Sequence, residues 1–374
     1  MQYRKEIDGL RALAVLPVIF YHAGWQTFQG GFVGVDIFFV ISGFLITQII
    51  VSDWQAGNYS LIHFYERRVR RILPALFFML LVCLPFALWV LLPHELMAFA
   101  RSVIAVILFV SNLLFWKESN YFSPDAEVLP LLHTWSLAVE EQFYVLYPLL
   151  LIVLLKNSRK LMGLVLMGLA LASLFLSEYL WRAAPEANFF LLPSRAWELL
   201  VGALAALYGA QVAHHTGLFK ELAAALGLVL IALGIFFIHD DLPFPSVYSL
   251  IPTLGAALIL LWADQHTYVG RWLSLKPWVG VGLISYSAYL WHQPLFALTR
   301  LWLADEPNQW LMLGLIGLTL SLAYMSWRFV ERPFREKGRF TRRQVFSFAC
   351  LAALAFVSIA TILLYSKGLP ARFS

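Results

Sequence analysis

Long apolar stretches recur from one end of this 374-residue chain to the other, and polar residues interrupt them only at scattered positions. A helix needs about 20 residues to cross a hydrocarbon core of roughly 30 Å. Twelve stretches approach that length: 9–25, 33–51, 72–92, 102–116, 135–155, 161–180, 195–213, 221–239, 247–263, 281–303, 310–330 and 344–365. None alternates with the period of two that a barrel strand requires. Backbone in lipid must satisfy its own hydrogen bonds, so the pattern predicts an all-α, polytopic transmembrane helical bundle.

Lysines and arginines in short loops set the orientation of such a bundle. Tyr3-Arg4-Lys5 places the N-terminus in the cytoplasm, and the run Glu66 to Arg71 belongs on the same side. Lys156-Asn157-Ser158-Arg159-Lys160 also reads as cytoplasmic, yet three stretches separate it from Arg71. One of the three therefore does not cross. The shortest, 102–116, is read as a re-entrant or interfacial piece. Eleven crossings remain, about ten core helices plus one C-terminal linking helix. Lys220, Arg271 with Lys276, and the run Arg332 to Arg343 then fall inside, while His239-Asp240-Asp241 and Ala304-Asp305-Glu306 fall outside. The C-terminus emerges on the outer face. Reporter fusions after Lys160 and after Ser374 are expected to report cytoplasm and exterior respectively, and the opposite pair of signals overturns the scheme.

Composition agrees with a membrane protein. The chain is 61% hydrophobic and 13% charged, with a mean hydropathy of +0.74, against about 25% charged residues in soluble domains. The first 22 residues lack a convincing small-residue cleavage site, and Arg11 and His22 interrupt their apolar run, so they are read as an uncleaved first helix. Cys83 and Cys350 lie far apart in apolar segments and imply neither a disulfide framework nor a metal site. The net charge of +5 comes from clusters that flank helices and match no nucleic-acid recognition motif, so no nucleic-acid partner is expected.

Ionisable groups at membrane depth are costly and usually face a cavity or one another. Arg11 and His22 stand eleven residues apart, which is about 20° past three turns and about 16 Å along the axis. They share a helix face at opposite depths. Glu140 and Glu141, about seven residues into their segment, lie near 10 Å deep. His292 reaches a similar level beside Pro294, which is expected to loosen the helix there. Arg195 and Glu198 sit in the outer half of theirs. His22, His292, Glu140, Glu141 and Glu198 are therefore expected in one outer-half layer. Arg11, Arg67, Arg68, Arg70, Arg71, Arg328, Arg332 and Arg335 gather towards the cytoplasmic surface, and arginine suits bidentate phosphate contacts. Cationic groups inside with His and Glu further out suit an anionic cytosolic cofactor whose reactive end points outward. The plainer alternatives are topology-setting arginines that meet lipid headgroups, a packing histidine, and glutamates that neutralise nearby bases.

Six blocks in order now carry a family resemblance. They are Tyr3-Arg4-Lys5-Glu6-Ile7-Asp8-Gly9-Leu10-Arg11-Ala12 with His22, the run Gly30 to Ile46, Phe64 to Pro74, Trp135 to Tyr144, Ser285 to His292, and Val330-Glu331-Arg332-Pro333. Together they resemble the acyltransferase-3 family of membrane acyltransferases, nearest to bacterial O-antigen and surface-polysaccharide O-acetyltransferases. The resemblance implies a multi-pass protein of the bacterial inner membrane. It implies transfer of an acetyl group from cytosolic acetyl-CoA to a hydroxyl of a periplasmic glycan such as lipopolysaccharide O-antigen, with acetyl-CoA as donor substrate and no metal.

By residue match, Arg11 and His22 become the functional pair, His22 acting either as general base or as transient acyl carrier. Glu140 or Glu141 would orient its ring. Arg67, Arg68, Arg70, Arg71, Arg328 and Arg332 would hold the donor, and Asp36, Ser42, Trp135, Arg195, Glu198, Tyr286 and His292 would line the acyl or acceptor path. Residues 1–335 form the expected acyltransferase domain. Residues 336–374 read as a basic loop, an added helix and the start of a linker to a periplasmic SGNH domain that the chain does not contain. The rival reading is a permease for acyl donor or glycan. Release of free CoA with labelling of an acceptor separates the two.

Overall fold

The computed structural model describes residues 3–118, 121–212, 217–303, 307–336 and 338–372. Residue 213 at the end of one expected span, the expected outer loop Ala304-Asp305-Glu306, Lys337 of the basic run, and Ser374 lie outside the described residues. In chain order the helices are α1 Lys5–His22, α2 Gly34–Gln55, α3 Leu61–Val90, α4 Pro93–Ile107, α5 Ser111–Glu118, α6 Pro124–Glu127, α7 Thr134–Leu155, α8 Arg159–Ala183, α9 Pro185–Phe190, α10 Leu192–Val212, α11 Leu218–Phe237, α12 Leu250–Trp262, α13 Tyr268–Leu273, α14 Lys276–Leu303, α15 Gln309–Ser326, α16 Arg332–Arg335 and α17 Arg342–Tyr365. No strand occurs among the described residues.

Eight stretches among the described residues are long and apolar enough to cross a membrane: Gly31–Gln55, Leu61–Val90, Thr134–Leu155, Arg159–Ala183, Pro185–Gly209, Leu218–Phe237, Gln309–Arg335 and Arg342–Tyr365. Three further expected crossings stand beside them: α1, with Lys5, Glu6, Asp8 and Arg11 in its 18 residues; the polar α14; and the shorter Val247–Trp262. The protein is an all-α, polytopic membrane protein.

Local chemistry explains the helix ends. The Ser60, Ser158, Asn308 and Thr341 side chains accept from backbone N–H groups of the first turns of α3, α8, α15 and α17, which satisfies donors that have no partner within the helix. Three expectations are corrected here. The span expected from residue 72 begins at Leu61, so the basic run Arg67 to Arg71 lies on the helix and not in a loop. The expected single segment 102–116 is broken into α4 and α5. At the break Val110 N–H donates to Ala105 O at 2.8 Å and Phe109 N–H to Val106 O at 3.1 Å. That is a helix stop with Phe109 left-handed at φ 53°, a place more often taken by glycine. Pro294, expected to loosen its helix, sits inside an uninterrupted α14. A π-helical turn appears instead at Trp327–Glu331.

The chain divides into two compact units, Met1–Tyr59 with Val139–Ser285, and Ser60–Ala138 with Tyr286–Ser374. In the first, α2 packs on α10, α1 on α2, and α11 on α12. Arg4 anchors the start of α1, donating to the carbonyls of Leu260 and Ala263 at 3.0 and 3.1 Å. In the second, α17 packs on α4 and α3.

At the edge of the first unit, Lys220 of α11 forms a short ion pair with Asp264, just beyond α12. Partial burial works against the Asp264 carboxylate, but the Lys220 ammonium and the His266 N–H outweigh it and hold the carboxyl below its usual range. A depressed native value means that the pair's stabilisation is complete above the unfolded carboxyl value of about 4 and fades as pH falls through the native one. Lys220→Met is therefore expected to lower unfolding midpoints at pH 7 and to converge on the parent as the pH drops below about 4. A gap that persists unchanged in acid refutes the pairing.

Candidate functional site

His22 is the last residue of α1, half-buried, with Nδ1 2.9 Å from Val18 O. A carbonyl oxygen can only accept, so Nδ1 carries the proton and the lone pair of the neutral ring lies on Nε2. The helix end is held by an unusually close neighbour. A Cβ on Gly31 would collide with the Pro17 carbonyl, and one on Gly34 with the Ala14 carbonyl. Glycine at both positions lets the 31–34 turn lie against the last turns of α1, which is the physical content of the glycine-rich block.

Arg11 does not reach towards His22. Its Nη1 lies 3.4 Å from Asp8 Oδ1, one turn earlier, and Asp8 Oδ2 accepts from Tyr3 OH at 2.6 Å. The guanidinium therefore has a local carboxylate partner, at the end of α1 opposite His22.

Asp36, Arg195 and Glu198, expected on a common path, do converge. Arg195 Nη2 lies 3.3 Å from Asp36 Oδ1 and 3.2 Å from Glu198 Oε2, and all three side chains are at most 1% exposed. Phe39, Phe189 and Phe244 surround the guanidinium with ring centres at 5.5, 5.6 and 5.7 Å, within cation–π range. The group ties α2 to α10. Ser42 and Glu140 meet through one intermediary, because Tyr144 OH is closely hydrogen-bonded to both. Tyr144 is thus a site candidate that sequence reasoning passed over, although it stands one helical turn after Glu140. Glu140 accepts from that phenol. Glu141 is half-buried on the same helix.

The second unit holds the arginines and a separate polar cluster. Arg68 is buried, with its guanidinium 5.9 Å from the Phe64 ring centre, while Arg67 and Arg71 are half-buried. Arg70 has a bracing role: it pairs with Glu66 at 2.8 Å and donates to the carbonyls of Phe334 and Phe340 at 3.2 and 2.7 Å. Arg328 and Arg332 are exposed, the latter 3.4 Å from Glu336.

On α14, Tyr286 OH donates to Ile72 O at 2.9 Å. His292 is buried, with Nδ1 2.6 Å from Tyr289 O, so its lone pair also falls on Nε2. Its ring centre lies 5.4 Å from that of His133, which is buried too. Tyr289 OH donates to His133 O at 2.9 Å and shares a hydrogen bond with Ser136 at 2.7 Å. The buried Trp135 follows within the same stretch. His133 joins this cluster with no sequence signal beyond its place just ahead of α7. Potential metal ligands gather among the described residues at His239, Asp240 and Asp241, an exposed turn that contributes nothing to the features above.

A family model described as an acyltransferase domain matches residues 4–328. The peptidoglycan O-acetyltransferase OatA of Listeria monocytogenes is 34% identical over 352 residues, covering 90% of this chain and 56% of that protein. The O-acetyltransferase OatA of Staphylococcus aureus is 32% identical over 351 residues, covering 90% and 58%. The chain thus spans little more than half the length of these curated relatives. No solved structure matches.

Proposed function

We propose, from the premise that this chain belongs to the membrane acyltransferase-domain family, that it is the membrane part of a bacterial inner-membrane O-acetyltransferase. The carrying observation is the similarity, over nine-tenths of the chain, to proteins named as O-acetyltransferases. Acetyl-CoA is the donor in this reading. Peptidoglycan is a better acceptor assignment than the O-antigen suggested by the motifs, because one of those relatives is named for peptidoglycan.

The residues then divide the work. Arg67, Arg68 and Arg71, with Arg328 and Arg332, hold the donor phosphates by charge-assisted hydrogen bonds. Arg70 braces α3 and is not a primary contact, since its guanidinium already meets Glu66 and two carbonyls. His22 presents Nε2 to the chemistry while its Nδ1–H is held by Val18 O. As general base it takes the proton of the attacking hydroxyl, the thioester carbonyl gains the new C–O bond, and CoA thiolate leaves. As acyl carrier Nε2 itself attacks the thioester and expels CoA thiolate, and the hydroxyl later displaces the imidazole, which takes up the hydroxyl proton. Asp36, Arg195 and Glu198 position α2 against α10. Ser42, Glu140 and Tyr144 present a hydroxyl chain suited to the acyl path, with Glu141 beside them. Trp135, Tyr286 and His292 serve the acceptor side.

The test uses the chain in sealed vesicles with acetyl-CoA labelled in the acetyl group. An acyltransferase releases free CoA and, with isolated peptidoglycan present, leaves base-labile label on the glycan. Movement of label with no free CoA identifies a permease and refutes the proposal. Label on O-antigen in preference to peptidoglycan refutes the acceptor assignment alone.

A further inference from the structure

The second unit contains an apolar groove of about 360 Å³ that the acyl-transfer reading leaves unused. Pro74, Phe77 and Leu81 of α3 form one wall, Phe348, Ala355 and Ile359 of α17 the other, and Phe334 closes one end. Leu81, Phe348 and Ile359 are exposed large apolar side chains, so the groove opens to the surroundings of the helices. From Phe348 to Ile359 is eleven residues, or about 16 Å along the axis. That is about half of a 30 Å hydrocarbon core, the depth of one leaflet.

The end closed by Phe334 is basic. Phe334 stacks on Phe340 and packs against Phe348, and the segment joining them to α17 carries Arg332, Arg335, Arg339, Arg342 and Arg343, all exposed. Phe334, Phe340 and Arg342 are held against α3, because Arg70 donates to the Phe334 and Phe340 carbonyls and Glu66 takes Arg342 at 2.7 Å. Among the described residues, five of these six arginines, Arg70 included, pair with three carboxylates, Glu66, Glu331 and Glu336. Cationic groups thus outnumber carboxylates two to one at the groove's mouth, and the paired guanidiniums keep donors for a further anion.

We propose that this groove holds one tail of an anionic phospholipid whose phosphate rests on Arg335, Arg339 and Arg343. Apolar length and cationic mouth match the two halves of such a lipid, and each basic residue near an anionic headgroup adds about 1 kcal/mol.

Native mass spectrometry of the intact purified chain tests this, with phosphatidylglycerol, phosphatidylcholine and glycerol phosphate as probes. The parent should retain phosphatidylglycerol in preference to phosphatidylcholine. R335Q/R339Q/R343Q should lose that preference by about five-fold per arginine while keeping phosphatidylcholine binding. A355F, which fills the groove at an exposed position, should lose the tight phosphatidylglycerol adduct with the arginines intact. Equal retention of the two lipids by the parent, or full phosphatidylglycerol binding by A355F, overturns the proposal. So does glycerol phosphate binding as strongly as the lipid, which would make the site a simple anion site. A dimer that A355F abolishes would assign the groove to a second copy instead. None of these readouts depends on acyl transfer.

Discussion

Replacing His22 with alanine is expected to abolish acetyl transfer while the chain still inserts in the membrane. The imidazole caps the C-terminal end of α1, with Nδ1 against Val18 O of its own helix and its half-buried ring edge-on to Tyr21. Its loss should cost little folding energy. Catalytically the change removes Nε2, the atom that takes a proton or an acyl group in either version of the mechanism. Loss of a general base alone lowers rates by about 10²–10⁴, and loss of a covalent carrier removes the route altogether. Free CoA release in vesicles is the measurement, with membrane-fraction yield as the control for insertion. His22→Gln separates the roles further, because glutamine can hold a hydrogen bond near the Nε2 position but neither accepts a proton at neutral pH nor carries an acyl group. Trapping the parent with labelled donor and no acceptor should leave label on the protein only if His22 is a carrier. Full CoA release by His22→Ala would remove the histidine from both roles.

The helices were legible because lipid imposes a length and a polarity on each crossing, and those constraints survive in the order of residues. What escaped has local physical causes. The start of α3 was hidden because Arg67 to Arg71 read as a loop, although Ser60 is a recognisable cap and Glu66 and Arg70 have the i,i+4 spacing of a helical ion pair. The stop at Phe109 was hidden because the left-handed position lacks a glycine. In the candidate site, polar residues within apolar runs singled out Arg195 and Glu198, and the family resemblance added Asp36, but neither gave their mutual contact, since 159 residues separate Asp36 from Arg195. The Arg11–Asp8 pair lay within reach of simple helix spacing. Tyr144 and His133 were missed because a phenol or an imidazole beside apolar residues more often signals packing than chemistry.

Replacing Arg195 with methionine is expected to be the most damaging single change in the first unit's interior. Asp36 and Glu198 are both completely buried, and Arg195 is the cation within 3.3 Å of each. Removing one partner from a buried ion pair costs about 3–5 kcal/mol, because the remaining charge has nowhere to go. Here two carboxylates depend on the same guanidinium. Methionine keeps much of the side chain's volume between Phe39, Phe189 and Phe244, so a loss of stability reports charge more than packing. Asp36→Asn should be far milder, since it leaves Arg195 and Glu198 as a matched pair. Asp36→Asn and Glu198→Gln added to Arg195→Met should recover part of the loss, because buried polar or apolar groups without net charge are tolerated better than an uncompensated ion. Thermal unfolding of the detergent-solubilised chain reads all three variants. If Arg195→Met unfolds at the parent temperature, or if the triple variant is no better than the single one, charge compensation does not hold α2 to α10.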